Sequence, residues 1–223
     1  MSLSYDPSAA VVALSQQDRK LARLIERVGP FALEPKKKLD SPFQSLLRAI
    51  VYQQLSGKAA ATIHGRVLAK FDCRTGPKPE QILAEPEDSL RACGLSRNKI
   101  AAVKDLAAKT AEGVVPDLRT LRKLDDAEII SRLVSVRGIG QWTVEMLLIF
   151  HLGRPDVLPF SDLGVRKGFM LTYKKPELPS KNELLEHGER WRPYRSVASW
   201  YMWRATEVFA PKPKTTESKK KRK

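Results

Sequence analysis

Residues 133–169, LVSVRGIGQWTVEMLLIFHLGRPDVLPFSDLGVRKGF, decide how this chain is read. They begin inside an apolar-periodic segment, Ile129, Ile130, Leu133 and Val134, spaced as one face of a helix. A tight turn follows at Arg137-Gly138-Ile139-Gly140, and a second helical pattern runs through Val144, Leu147, Leu148 and Phe150. Two glycines flanking an apolar residue are expected to take positive φ and bring bare backbone N–H groups to a helix N-terminus, where they can hold a phosphate. The triplet alone is weak evidence, since such glycines end many ordinary helices. Further on, Asp162 stands in Pro159-Phe160-Ser161-Asp162-Leu163-Gly164, where a new helix should begin. By itself it reads as an N-cap more readily than as a catalyst, and it can be both.

The rest of the chain shows the same helical period and no persistent period-two run, so it reads as all-α. Residues 1–14 look irregular, and Ser15 is expected to cap a helix with the apolar face Leu21, Leu24, Ile25 and Val28. Ser41-Pro42-Phe43-Gln44 starts a helix with Phe43, Leu46, Leu47 and Ile50 inward, which runs into Tyr52-Gln53-Gln54-Leu55-Ser56-Gly57. The next helix should bury Ala60, Ile63, Val67 and Phe71. Ser96 and Asp125 mark further starts, Ser180 another, and Trp191-Arg192-Pro193 is expected to open the last helix. The run Lys36-Lys37-Lys38 reads as a solvated connector, and residues 211–223 as a disordered basic tail.

The formal charge is +15. From Lys212 onward seven basic residues and Glu217 contribute +6, which leaves +9 on residues 1–211. Basicity spread beyond the tail points to a polyanionic partner, with solvated surface lysines as the plainer alternative. Cys73 and Cys93 form no Cys-x-x-Cys pair, which argues against an iron–sulfur cluster or four-cysteine zinc site and for a reducing compartment. His64, His151 and His187 lack ligand spacing. Met1 to Val12 lacks a signal-peptide pattern and no apolar run is long enough for a membrane helix, so an intracellular protein that binds no membrane is expected.

Four blocks together, Ala49 to Ser56, Val136 to Val144, Phe160 to Arg166 and Trp191 to Trp203, resemble the helix-hairpin-helix DNA glycosylase superfamily, in its 3-methyladenine (alkylpurine) DNA glycosylase II subfamily. The resemblance implies two helical lobes with a DNA-binding cleft between them: residues 1–37 with 155–210, and residues 38–154. The N-terminal α/β domain of some relatives is not expected in this all-α chain. It further implies a monomer that acts on double-stranded DNA containing alkylated bases and flips the target base, as the first step of base excision repair. Arg137, Gly138, Gly140 and Thr143 would hold the DNA phosphate. Gln53, Gln54, Leu55 and Ser56 would form the wedge that fills the vacated stack, although the residues themselves also read as a polar helix end.

Asp162 would be catalytic, and Trp142, Tyr52, Phe43 and Trp203 would line the base pocket. For Trp142, packing between helices is an equal reading of the residue itself. Relatives with lyase activity carry a nucleophilic lysine where Trp142 stands, so a monofunctional hydrolase is implied. No cofactor is required, but a structural Na+ or K+ on the carbonyls of Val134, Val136 and Ile139 is possible by the same resemblance. Two alternatives stay open: a non-catalytic helix-hairpin-helix DNA-binding module, or a glycosylase for another lesion such as ethenoadenine or hypoxanthine.

Overall fold

The computed structural model describes residues 3–33, 41–71 and 76–209. Lys36 to Lys38, Cys73 and the tail at 211–223 lie outside them. Among the described residues the secondary structure is helical throughout, in the order α1 (Pro7–Gln17), α2 (Arg19–Val28), α3 (Pro42–Tyr52), α4 (Gly57–Lys70), α5 (Pro79–Ala84), α6 (Glu87–Ala92), α7 (Arg97–Ala111), α8 (Leu118–Leu121), α9 (Asp126–Val134), α10 (Gln141–Leu147), α11 (Leu163–Tyr173), α12 (Lys181–Gly188) and α13 (Arg195–Val208). A π-turn, Leu148–Leu152, extends α10, and a 3-10 turn, Glu189–Trp191, follows α12.

The helices fall into two compact units, Met1–Tyr5 with Ala32–Pro159, and Asp6–Phe31 with Phe160–Lys223. Both seams differ from the expected breaks after 37 and 154. Residues 1–5 join the central unit, where the Ser4 hydroxyl donates to the Gly153 carbonyl at 3.2 Å.

In the central unit α3 is the hub. Its face Phe43, Leu46, Leu47, Ile50 and Val51 is buried, and it packs on α4, α7 and α10. Ala60 and Val67 from α4, Ile100, Val103 and Leu106 from α7, and Ile129 and Leu133 from α9 complete this core. Each fully buried Leu or Ile contributes about 1.5–3 kcal/mol relative to exposure, which explains why the helical period of the apolar residues survives in the fold. Ser41 caps α3 through the Gln44 N–H at 3.1 Å. The Gln44 side chain does not close a capping box but donates to the Pro77 carbonyl.

The second unit packs α11 against α13 and lays α2 across both. Val165, Phe169, Tyr173, Trp191, Tyr201 and Met202 form its interior. Two sequence expectations change here. Residues 7–17 form a helix, capped by Asp6 with Pro7 in its first turn, and Asp18 rather than Ser15 caps α2. The Ser15 hydroxyl turns back to the Val11 carbonyl at 2.8 Å, within α1. The last helix starts at Arg195, after the 3-10 turn, and not at Trp191.

Candidate active site

The hairpin forms in the central unit between α9 and α10. Gly138 takes φ +78°, where an L side chain is strained, and its absent Cβ would sit 3.3 Å from the Ala102 side chain. Gly140 corrects the expectation of two left-handed glycines: with φ −95° and ψ 167° it is extended and serves as the N-cap of α10. Its carbonyl accepts the N–H groups of Thr143 and Val144, so the turn of the chain into α10 is complete within four residues. Val136 and Ile139 are buried, and the Ile139 N–H donates to the Val136 carbonyl at 3.0 Å. Arg137, Gly138 and Gly140 are exposed, and Thr143 is half-buried.

A brace from α7 that no local sequence pattern marks holds this hairpin. The Asp105 carboxylate accepts the Arg137 backbone N–H at 2.7 Å and the Lys109 ammonium at 3.1 Å. Lys109 also donates to the Ser135 carbonyl. Burial alone would raise the Asp105 pKa, but these two donors outweigh it and hold the carboxyl below its usual range.

The Gln53–Ser56 segment joins α3 to α4. Gln53 ends α3 and its side-chain amide donates to the Gly138 carbonyl at 2.8 Å, tying this segment to the hairpin. Gln54 takes φ +58°, rare for a residue with a side chain, and Leu55 is 40% exposed. Ser56 caps α4 through the Ala59 N–H at 3.3 Å.

Beside that segment lies an open basin of about 900 Å³, lined by Arg48, Tyr52, Gln53, Gln54, His64 and Trp142, with Met146, Phe150 and His151. That volume would suit a small ligand. Trp142 is 47% exposed and so is not the core residue that its helical spacing also allowed. The Arg48 guanidinium lies 3.9 Å from the Tyr52 ring centroid, and His64 meets the same ring edge-on at 6.0 Å. Burial and then the Arg48 charge press the His64 pKa below the ordinary imidazole value, so its neutral form is favoured. Phe43 corrects the expected pocket: at 3% exposure it is a core side chain and is absent from this basin. Its position in the first turn of α3, inside the apolar face, is why.

Asp162 and Trp203 belong to the second unit. Asp162 is the N-cap of α11, its Oδ1 accepting the Val165 N–H at 2.8 Å. The Trp203 indole N–H from α13 donates to the same oxygen at 2.8 Å. The carboxylate is therefore half-buried, fixed by its own helix and by a neighbouring one.

For a bound ion, the hairpin carbonyls are neutral hard donors, suited to an alkali cation rather than to a transition metal. The Val136 oxygen, already accepting one N–H, keeps a second lone pair. The described residues contain no group of three or more His, Cys, Asp or Glu able to hold a metal.

The chain thus carries a glycine-closed helix hairpin and, further along, a carboxylate at the head of a helix. The chain belongs to the HhH-GPD superfamily of base excision DNA repair proteins, whose family model matches residues 47–193. Over 199 residues it is 37% identical to DNA-3-methyladenine glycosylase 1 of Schizosaccharomyces pombe, covering 89% of this chain and 87% of that one. The solved complex of that yeast's Mag1 with abasic DNA matches 89% of this chain and 97% of its own, with a TM-score of 0.78. A DNA-3-methyladenine glycosidase from Bacillus halodurans matches 94% and 93%, with 37% identity and a TM-score of 0.83.

Proposed function

We propose that this protein is a DNA glycosylase that removes alkylated purines, 3-methyladenine and 7-methylpurines foremost, from duplex DNA. The observation that carries the reading is Asp162, held at the head of α11 by the Val165 and Trp203 N–H groups, in a chain 37% identical to a DNA-3-methyladenine glycosylase. Methylation places positive charge on the purine, so the C1′–N bond can break with its electron pair leaving on the base. The sugar is left as an oxocarbenium-like cation. A fixed carboxylate stabilises that charge and orients the water that adds to C1′, the released proton passing to the carboxylate or to solvent. The products are a free base and an abasic sugar.

The target must first leave the stack, at a cost of a few kcal/mol. Gln53 to Ser56 would fill the gap, the hairpin backbone with Arg137 and Thr143 would grip the phosphate, and the exposed Trp142 with Tyr52 would stack on the flipped base. Cation–π attraction would contribute about 0.5–2 kcal/mol to a cationic purine. A Na+ or K+ on the carbonyls of Val134, Val136 and Ile139 would stiffen the turn and take no part in the chemistry. The protein would work as a monomer.

Trp142 stands where a lyase would need its lysine, so the reaction ends at hydrolysis. The test is incubation with methylated duplex DNA, following bases released and strands cut, with borohydride added to trap any Schiff base. Free methylpurines, intact strands and no trapped adduct are expected. A trapped adduct would overturn the monofunctional reading, and failure to release any methylated base would overturn the alkylpurine reading.

A further inference from the structure

Lys99 lies half-buried near the start of α7 and directs its ammonium at the end of α3. It donates to the Val51 carbonyl at 2.6 Å and to the Gln53 carbonyl at 2.8 Å. These are last-turn carbonyls, which have no partner inside their own helix and carry the negative end of the helix dipole. Burial lowers the Lys99 pKa, yet two carbonyl acceptors at charge-assisted distances favour the charged form at neutral pH. One residue beyond the clamp, Gln54 holds φ +58°, a conformation that costs energy and persists only where its surroundings fix it.

The same helix braces the hairpin six residues later, through Asp105 to the Arg137 N–H. At 1.5 Å per residue the two holds are separated by about 9 Å along α7. The third side of this triangle is the Gln53 amide on the Gly138 carbonyl. All of these atoms lie in the central unit, and Lys99, Asp105 and Gln53 are not among the side chains of its apolar core.

We propose that α7 is a strut that sets the wedge segment and the phosphate-gripping hairpin in one register, with Lys99 the positioning residue for the wedge. The inference rests on the reading of Gln53 to Ser56 as a wedge. Lys99 touches neither base nor sugar in this account. It fixes where α3 stops, and so where Gln54 and Leu55 point when a base has left the stack.

The test uses the full chain and a duplex carrying a tetrahydrofuran abasic analogue opposite 2-aminopurine, whose fluorescence rises when the wedge enters the stack. At saturating protein, wild type should give the rise, and Lys99→Met should give about a tenth of it, the scale of losing charge-assisted hydrogen bonds. Lys99→Arg should restore most of the signal, because its guanidinium can donate to both carbonyls. DNA affinity should change less than the fluorescence, since the hairpin brace through Asp105 remains. Thermal unfolding is followed alongside, and Lys99→Gln replaces Lys99→Met should the latter not fold. A full rise with Lys99→Met, or a loss that Lys99→Arg does not recover in a folded protein, would overturn the proposal. No rise with wild type, despite binding, would instead overturn the wedge reading on which it rests.

Discussion

A β-carbon on Gly164 would lie 2.7 Å from Trp203 Cδ1 and 3.1 Å from Asp162 Oδ1. Only glycine lets the indole approach closely enough to donate to the carboxylate at 2.8 Å. Trp203 thus serves Asp162 as a positioning residue. Removing its N–H with Trp203→Phe keeps the ring and lifts one restraint on Oδ1. The excision rate of an alkylated purine should fall about tenfold, with the change in the rate constant and not in DNA affinity. An unchanged single-turnover rate would show that the carboxylate does not depend on the Trp203 N–H. The sequence exposed Asp162 through its place after Pro159 and before a new helix, and Gly164 was visible beside it. The Trp203 partnership was not, because it joins residues 41 apart through a helix crossing that no local pattern encodes.

At the scale of elements, the crossing of α11 and α13 depends on Gly168. A β-carbon there would come within 1.9 Å of the Met202 carbonyl oxygen and 2.5 Å of its carbon. Backbone cannot rotate away as a side chain tip can, so Gly168→Ala must push the helices apart. A loss of about 3 kcal/mol is expected, read as a lower urea midpoint with an unchanged slope. A midpoint equal to that of wild type would contradict so close an approach. Most helix starts were legible because Ser41, Ser96, Asp125 and Ser180 cap them with the side-chain chemistry that sequence alone announces. Helix α1 was missed although Asp6-Pro7 carried the same signal, because Ala9 to Val12 lack a clean apolar period and Val12 is exposed. The brace from α7 was illegible for a different reason: lysines on a helix surface look alike until their ammonium groups find carbonyls on another element.

At the scale of the molecule, the second unit closes around a single buried carboxylate. Asp18 caps α2 through Oδ1, while its Oδ2 meets the Tyr173 hydroxyl, His187 Nε2 at 3.0 Å and Trp191 Nε1 at 3.2 Å. Burial alone would raise the Asp18 pKa, but hydrogen bonds from His187, Tyr173, the Leu21 N–H and Trp191 together hold it well below the carboxylate range. A group depressed in the folded state stabilises fully above its unfolded pKa of about 3.9, and that stability is lost as pH falls through the folded value. Asp18→Asn should therefore destabilise by about 2–3 kcal/mol at neutral pH. The gap to wild type should stay constant from pH 7 to about pH 5 and shrink only as pH falls below the unfolded value of about 3.9. A gap independent of pH would contradict the assignment. The all-helical composition was legible from periodicity and punctuation, whereas the expectation of two lobes came from the family resemblance; the units divide after Tyr5, Phe31 and Pro159.

In the proposed mechanism Asp162 performs the chemistry while other groups bind the DNA. Asp162→Asn on an oligonucleotide duplex with one 7-methylguanine separates the two, with single-turnover excision and equilibrium binding measured on the same substrate. The amide keeps an oxygen that can cap α11 but loses the charge proposed to stabilise the sugar cation. Excision should fall by at least about a hundredfold with binding within about threefold of wild type. Excision at the wild-type rate would contradict the account and leave a DNA-binding fold whose catalyst lies elsewhere.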